Sequence, residues 1–542
     1  MNTVRFGLLD RFMRDTRGNI AVIFAIACIP LLTAVGATID YSIATRIKAK
    51  LQSAADAASV GAVAQGSPAY LQAGKIGSTG KLPDGVADAT NIFNANISGV
   101  TGFTNLVPTI SVDKNVVNIT STVSFSADVP TTFLGLIGYQ KLTVSGTSKS
   151  AGSLPLYLDF YLTLDVSGSM GLPSTPDEAV RMQKVNPDDY VDYPTGCTLA
   201  CHFTAQKNGC NNPTIPPKKN QSQSGYPTNN YFLGYTISRV SPSGYQTLLD
   251  SSTTSQYPYK NPDTGKYQQL KSSVLSGLPG SINQALQPVS SCPTTGTDNC
   301  IQLRLDAVGY AVNHLLQTAN DPTYQKVPGQ FQIGLYPFIQ YLNPNYSQLT
   351  SNINNSSSSP GTINYNAANL AQLLDTNTDS NLGSGGTHID AALSTMNTSV
   401  INSVGNGSSS TNTLPYVFLI TDGAQDNQLK ALGPSGNWSG SNHATVLDDK
   451  TNNTYPTACT QLKNRGIVVA VLYIPYQPIN PVNASFANDE DDYANWNIPN
   501  IPTSLTNCAS PGFFYTANTP QDIQDMLDKM FKQALLTAHI TN

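Results

Sequence analysis

The feature that most restricts this chain is NIAVIFAIACIPLLTAVGATI, Asn19 to Ile39, an uncharged apolar run. It has about the ~20 residues that cross ~30 Å of hydrocarbon as a helix. Arg5, Arg11, Arg14 and Arg17 precede it; by the positive-inside tendency they hold a short leader, residues 1–18, in the cytoplasm and send the rest outward. Arg46, Lys48 and Lys50 on the far side weaken that bias. A cleaved secretory signal is the competing reading. The run is long for one, Pro30 interrupts it, and no small-x-small cleavage site is followed by a domain start. The expectation is therefore one membrane-spanning helix over residues 19–39. The segment DYSIATRIKAKLQSAADAAS continues with helical periodicity and without Gly or Pro until Gly61, so the rod extends outward and can pack against similar helices.

An exported chain puts its thiols in an oxidising compartment, where disulfides persist. Besides Cys28 in the apolar run there are Cys197, Cys201, Cys210, Cys292, Cys300, Cys459 and Cys508, an odd number, so at least one lacks a partner within the chain. CTLACH is CxxxC followed by His, one residue too long for a CxxCH haem attachment; disulfides are the main reading of that cluster and zinc the other. Cys459 and Cys508 flank the last apolar strand and are expected to pair with each other. Charged residues are only 12% of the chain and the net charge is −5. No concentrated basic face results, which argues against a nucleic-acid binder.

From about Leu71 to Gly152 the pattern is β-rich, as in TISVDKNVVNITSTVSFSADV and KLTVSGTSKSA, and predicts a small sheet laid on the rod. From Leu156 apolar strands alternate with helices. LYLDFYLTL, FQIGLYPFIQ, LPYVFLIT and IVVAVLYIP read as strands; LRLDAVGYAVNHLLQTA, HIDAALSTMNTSVI, ACTQLKNRG and TPQDIQDMLDKMFKQALLTA read as helices, the last capped by Thr519. The expected fold is α/β, a doubly wound parallel sheet covered on both faces, with its ligand crevice beyond the carboxyl ends of the strands. The stretch at about 171–302 holds five of the cysteines and little periodicity, and reads as a disulfide-tied insertion. NYSQLTSNINNSSSSPGTINYN and GNGSSSTNT read as surface loops or flexible tracts.

The sequence DVSGSM ends the first of these strands and places Asp165, Ser167 and Ser169 at the carboxyl edge. SGGTHID brings Thr387 to a helix start there, and FLITDG brings Asp422 to a strand end. Two carboxylates and three hydroxyls, without His or Cys, form a hard oxygen set suited to Mg²⁺, with Mn²⁺ and Ca²⁺ as the other cations such ligands accept. Taken singly, Asp165, Ser167 and Ser169 would be read as helix caps or turn residues. DVSGSM, GGT at 385–387 and TDG at 421–423 together resemble the von Willebrand factor A family. That resemblance implies a metal-ion-dependent adhesion site. Hydroxyls at Ser167, Ser169 and Thr387 would bind the ion, Asp165 and Asp422 would engage it directly or through water, and a partner's carboxylate would complete the shell. The long insertion right after Met170 departs from the family pattern.

A second resemblance lies at the N-terminus. RDTRGNIAVIFAIACIPLLTAVGATIDYSIATRIKAKLQSAADAAS resembles the anchor of TadG-type Tad (tight adherence) pilus-assembly proteins, which place a pilin-like region before a von Willebrand A domain. It implies a cytoplasmic leader at 1–18, a transmembrane helix at 19–39, a pilin-like helix and small sheet at 40–152, and a von Willebrand A domain at 153–542. It further implies a bacterial inner-membrane protein, bulk in the periplasm or released to the surface, that works with Flp pilus or envelope components. If Gly18 were a prepilin cleavage point, the fifth residue after it would be Ile23 where pilins carry glutamate. The alternative role is a minor pilin-like or scaffold subunit without a working metal site.

Other motifs point to no catalysis. DTNTDSN (375–381) begins like a calcium loop but has Ser380 where Gly is needed and Gly386 where Glu is needed, and is read as ordinary loop. The acidic run NDEDD (488–492) is read as solvated loop. An aspartyl phosphatase would want an acid at position 167, which is Ser. The five histidines, His202, His314, His388, His443 and His539, form no HExxH, and neither a nucleophile elbow nor a P-loop is present. The expectation is a binding protein and not an enzyme.

Overall fold

The computed structural model describes residues 19–77, 79–185, 301–354, 386–426, 457–476 and 492–540. It adds short stretches at 249–252, 259–260, 267–270, 363–364, 370–373, 381–383, 445–447 and residue 478. The insertion opens with a described helix, α4 (Pro176–Val185); its five cysteines, the leader, Gly385, and most of DTNTDSN and NDEDD lie outside the described residues. The chain divides into two compact units, residues 1–155 and 156–542.

In the first unit, α1 (Asn19–Val63) is one uninterrupted helix that accommodates Pro30. Its first half is bare: Val22, Phe24, Ile26, Ile29, Leu32 and Val35 are all exposed, the state expected of a stripe made for lipid. Its second half buries Ala44, Ile47, Leu51, Ala55, Ala58 and Ala62, spaced three or four apart. Small side chains on that stripe let α1 lie close on an antiparallel sheet. The sheet runs in the order β1 (Thr79–Lys81), β2 (Thr104–Asn115), β3 (Asn118–Pro130), β4 (Lys141–Ser153). Val123, Phe125, Ala127 and Val129 on β3 are buried.

Two helices occur where β-rich chain was expected: α2 (Pro68–Ala73) overlaps the start of that stretch and α3 (Pro83–Ile97) lies within it. Each has Pro at its first turn, where the missing N–H costs nothing. α3 buries Ala89 and Phe93 against α1. Lys114 on β2 is buried, and its ammonium donates to the carbonyls of Ala73 (2.7 Å) and Ile76 (3.0 Å). It thereby satisfies acceptors left over at the end of α2. Burial lowers its pKa to about 8.

The second unit is built on a six-stranded sheet. Its strands are β5 (Leu158–Asp165), β6 (Phe331–Phe338), β7 (Ser347–Thr350), β8 (Leu414–Thr421), β9 (Val468–Tyr473) and β10 (Phe514–Thr516), in the spatial order β7-β6-β5-β8-β9-β10. All neighbours pair in parallel except the edge strand β7, which is antiparallel to β6. By rank in the chain this is the doubly wound order 3-2-1-4-5-6, whose direction of winding reverses between β5 and β8. Ligand crevices of such sheets open at that reversal, beyond the carboxyl ends.

Residues of β5 are buried on both sides, as the apolar run predicts. One face carries Phe160, Phe331, Tyr416 and Phe418; the rings of Phe160 and Phe331 pack on Phe531 of α9 (Pro520–Ile540), and those of Tyr416 and Phe418 on Phe160. α9 lies against α5 (Arg304–Asn320). The other face carries Tyr161, Tyr336, Val417 and Val469, covered by α6 (Ile389–Thr395), α7 (Ala458–Asn464) and α8 (Ile501–Cys508). Thr519 caps α9 reciprocally with Asp522: the Asp522 amide donates to the Thr519 hydroxyl and the Thr519 amide to the Asp522 carboxylate, 3.1 Å each. Cys459 on α7 and Cys508 on α8 form the expected disulfide.

Two polar tracts depart from the loop reading. SQLT within the first is the edge strand β7. In the second, Ser408 and Ser409 are buried, and Gly407, at φ 78° where a side chain would be strained, accepts the Tyr157 amide through its carbonyl (2.9 Å). The tract is a tight plug at the base of the sheet.

Candidate functional site

At the carboxyl end of β5 the chain leaves the sheet through Val166 and a short 3-10 turn, Gly168–Gly171. Asp165 closes that exit. One carboxylate oxygen, Oδ1, accepts from the Ser167 amide (3.0 Å) and hydroxyl (2.6 Å); Oδ2 accepts from the Thr421 hydroxyl of β8 (2.6 Å). The Asp165 carboxylate thus ties the two strands that flank the reversal point. Ser169 on the turn stands beside Ser167, hydroxyl to hydroxyl 3.4 Å. Asp165 and Ser167 are buried and Ser169 is partly open.

Asp422 follows β8 directly and is fully buried. Its Oδ1 has no hydrogen bond of ordinary geometry among the described residues. Burial pushes its pKa up to about 7, and the Asp165 carboxylate pushes the same way; Arg304, the Ser169 hydroxyl and the Ala424 amide act against them. Burial raises Asp165 as well, against the donors that hold it. Two carboxylates that disfavour each other's charge in a dry crevice titrate as a pair.

Thr387 is brought to the same edge by backbone pairing. Its amide donates to the Asp426 carbonyl (2.8 Å) and the Asp426 amide returns to Thr387 (3.0 Å), while the His388 amide donates to the Ile339 carbonyl just past β6 (2.9 Å). The structure therefore assembles Asp165, Ser167, Ser169 and Asp422 at the reversal and docks the Thr387 segment alongside. His388 is buried with Nε2 unpaired among the described residues, and burial lowers its pKa.

Arg304, the first residue of α5, escaped the sequence reading. Its guanidinium is buried, 3.5 Å from Asp422 Oδ2, and donates to the Pro475 carbonyl (3.2 Å). An arginine next to an apolar helix start carries no motif, and its partner lies 118 residues away. The signal was the unusual placing of Arg inside QLRLDAVGY, an otherwise uncharged helix start apart from its capping Asp306. Among the described residues no three His, Cys, Asp or Glu side chains gather into a metal cluster, so a cation here would depend on the hydroxyls.

Residues 18–65 match the Tad family model, described as Flp pilus-assembly TadE/G-like. No curated protein matches the sequence. Among solved structures, the pilus adhesin SpaC from Lactobacillus rhamnosus GG is 11% identical over 81% of this chain and 35% of its own, with TM-score 0.28. This chain thus spans about a third of SpaC's length. The PilB minor pilin from Streptococcus sanguinis is 10% identical over 80% of this chain and 78% of its own, TM-score 0.26. The vWF domain of the type V pili tip protein Mfa5 from Porphyromonas gingivalis is 12% identical over 43% of this chain and 89% of its own, TM-score 0.25. Superpositions this loose leave the function to the chain's own geometry and to the family match over 18–65.

Proposed function

We propose that the second unit is a von Willebrand A-type binding domain that holds Mg²⁺ at Asp165, Ser167, Ser169, Thr387 and Asp422 and engages an acidic side chain of a protein partner. The observation that carries this reading is the pair of desolvated carboxylates at the winding reversal. One of them has an oxygen, Asp422 Oδ1, that no hydrogen bond of ordinary geometry among the described residues satisfies. A buried anion pair without full compensation is costly, and its oxygens with the neighbouring hydroxyls fit a hard cation. When bound, the ion would neutralise the pair and leave a coordination position for a partner's carboxylate. The chain's own residues prepare the place. Thr421 and Ser167 fix the Asp165 carboxylate, and the Asp426 bridge fixes Thr387. Ser167 donates its hydroxyl proton to Asp165, so its lone pairs stay available.

The match over residues 18–65 and the bare apolar half of α1 support a membrane-anchored, pilus-associated role in assembly, anchoring or adhesion. On this reading α1 crosses the bacterial inner membrane, residues 40–152 form the pilin-like part, and residues 153–542 work in the periplasm or at the surface.

Arg304 favours a second reading. A guanidinium already beside Asp422 is a built-in counter-ion, and with it the crevice could be purely structural, leaving a scaffold subunit. Calorimetry with Mg²⁺ and Mn²⁺ on the full chain in detergent, beside Asp165→Ala, separates the two. Saturable binding that the variant loses is the expected result. Heat absent from both proteins would sink the metal-dependent reading and leave the scaffold.

A further inference from the structure

We propose that the turn joining β3 to β4, residues 131–140, is a second membrane contact that dips into the lipid interface beside the point where α1 leaves the bilayer. The proposal rests on the membrane-span reading given above. The turn is fastened to α1 at that point. The carboxylate of Asp40, the residue just past the apolar run, accepts the amides of Thr132 (3.0 Å), Phe133 (2.9 Å) and Leu134 (2.8 Å). Phe133 lies against Gly36 so closely that a Cβ there would overlap its side chain. Gly36 stands three residues inside the end of the run at Ile39, or ~4.5 Å along the helix axis. Interfacial segments bury their apolar side by ~5–10 Å, so the turn is held at the depth of the headgroup boundary.

The turn is also built to be there. Lipid cannot satisfy backbone groups, so non-helical chain at membrane depth must satisfy its own. Besides the three amides on Asp40, Thr131 donates to Gln140 (3.1 Å), Leu136 to Phe133 (3.1 Å), Gly138 to Gly135 (3.2 Å) and Tyr139 to Leu134 (3.0 Å). The side chains do the opposite. Leu136 is 84% exposed, Ile137 52% and Tyr139 65%, on a turn seven of whose ten amides carry these hydrogen bonds. Such a surface facing water would lose free energy for no structural return. It continues the bare apolar stripe of α1, which is the one occupant-defining surface it adjoins: lipid. Tyr41 (69% exposed) follows Asp40 and Tyr139 belongs to the turn that Asp40 holds, and amphipathic rings of this kind favour the interface.

The test uses the full chain reconstituted in phosphatidylcholine vesicles. Leu136→Trp is made in a chain with Trp438→Phe and Trp496→Phe, and Leu32→Trp in the same background reports the span. Lipids brominated near the headgroup or near the chain ends quench indole fluorescence at those depths. Expected for Leu136→Trp is loss of most of its fluorescence on the shallow lipid and little on the deep one, with the same pattern for Ile137→Trp. Quenching in Leu32→Trp but not in Leu136→Trp would overturn the turn contact and leave the span. Quenching in neither variant would overturn both. Protection of the Leu136→Trp variant from aqueous iodide that grows with protein density, without lipid quenching, would give the surface to a second copy and likewise overturn the proposal.

Discussion

Asp422 makes the second unit's stability depend on pH in a direction opposite to that of an ordinary paired carboxylate. Its pKa is raised in the folded state from 3.8 to about 7, chiefly by burial and next by Asp165. The folded protein therefore holds the proton more tightly than the unfolded chain, and stability falls as pH rises from about 4 to about 7. The penalty is complete above that window and absent below it. At ~1.4 kcal/mol per tenfold change in acidity, the full cost is at most ~4 kcal/mol, shared with the coupled Asp165. Asp422→Asn removes the charge and keeps the shape. In chelator at pH 8 the variant should exceed the wild type by a few kcal/mol in urea unfolding, and the two should converge near pH 4. Asp159, at the opposite end of β5, is likewise raised to about 6 by burial, but it is present in both proteins and cancels in the difference. Adding Mg²⁺ should reverse the order at pH 8, because a ligand of the folded state stabilises only the chain that binds it. A variant less stable than wild type in chelator at pH 8, or equally stabilised by Mg²⁺, would refute the argument.

Three further outcomes are expected. Arg304→Met strips the built-in counter-ion from Asp422, so the metal-free protein should melt earlier while Mg²⁺ affinity measured by calorimetry rises on the order of tenfold, a coupling of ~1.4 kcal/mol; unchanged affinity would show that Arg304 does not compete. The Cys459–Cys508 link closes a 49-residue separation, and the chain-entropy model gives it ~4 kcal/mol, so Cys459→Ala with Cys508→Ala should lower the urea midpoint while leaving the first unit's transition in place. Lys114→Met leaves the carbonyls of Ala73 and Ile76 without their donor and should cost the first unit ~1–3 kcal/mol, read as faster amide exchange in α2 and β2.

Much of the architecture is legible in short stretches because local patterns carry it. LYLDFYLTL, LPYVFLIT and IVVAVLYIP are mostly apolar runs, the composition of strands buried on both faces. α9 announces itself through Thr519, Pro520 and its apolar period. The pattern misleads where tertiary partners override composition. α3 lies in a stretch that otherwise reads as strand, and its Ala89 and Phe93 find α1, which no local window contains. SQLT becomes a strand only because β6 offers an unpaired edge, and Ser408 and Ser409 are buried only because the base of the sheet accepts the Gly407 turn.

The candidate site divides in the same way. Asp165, Ser167, Ser169, Thr387 and Asp422 stand out from residue types placed at strand ends and helix starts, so their nomination needed no coordinates. The sequence by itself determined the apolar span, the four central strands of the second unit with their principal helices, and this oxygen-rich set, since each depends on neighbours a few residues apart. The tertiary structure alone decided the strand order that joins Asp165 to Thr421, the burial that sets Asp165 against Asp422, and the approach of Arg304 from 118 residues away. Charge, desolvation and register act through space, and a linear pattern does not say which distant groups will share it.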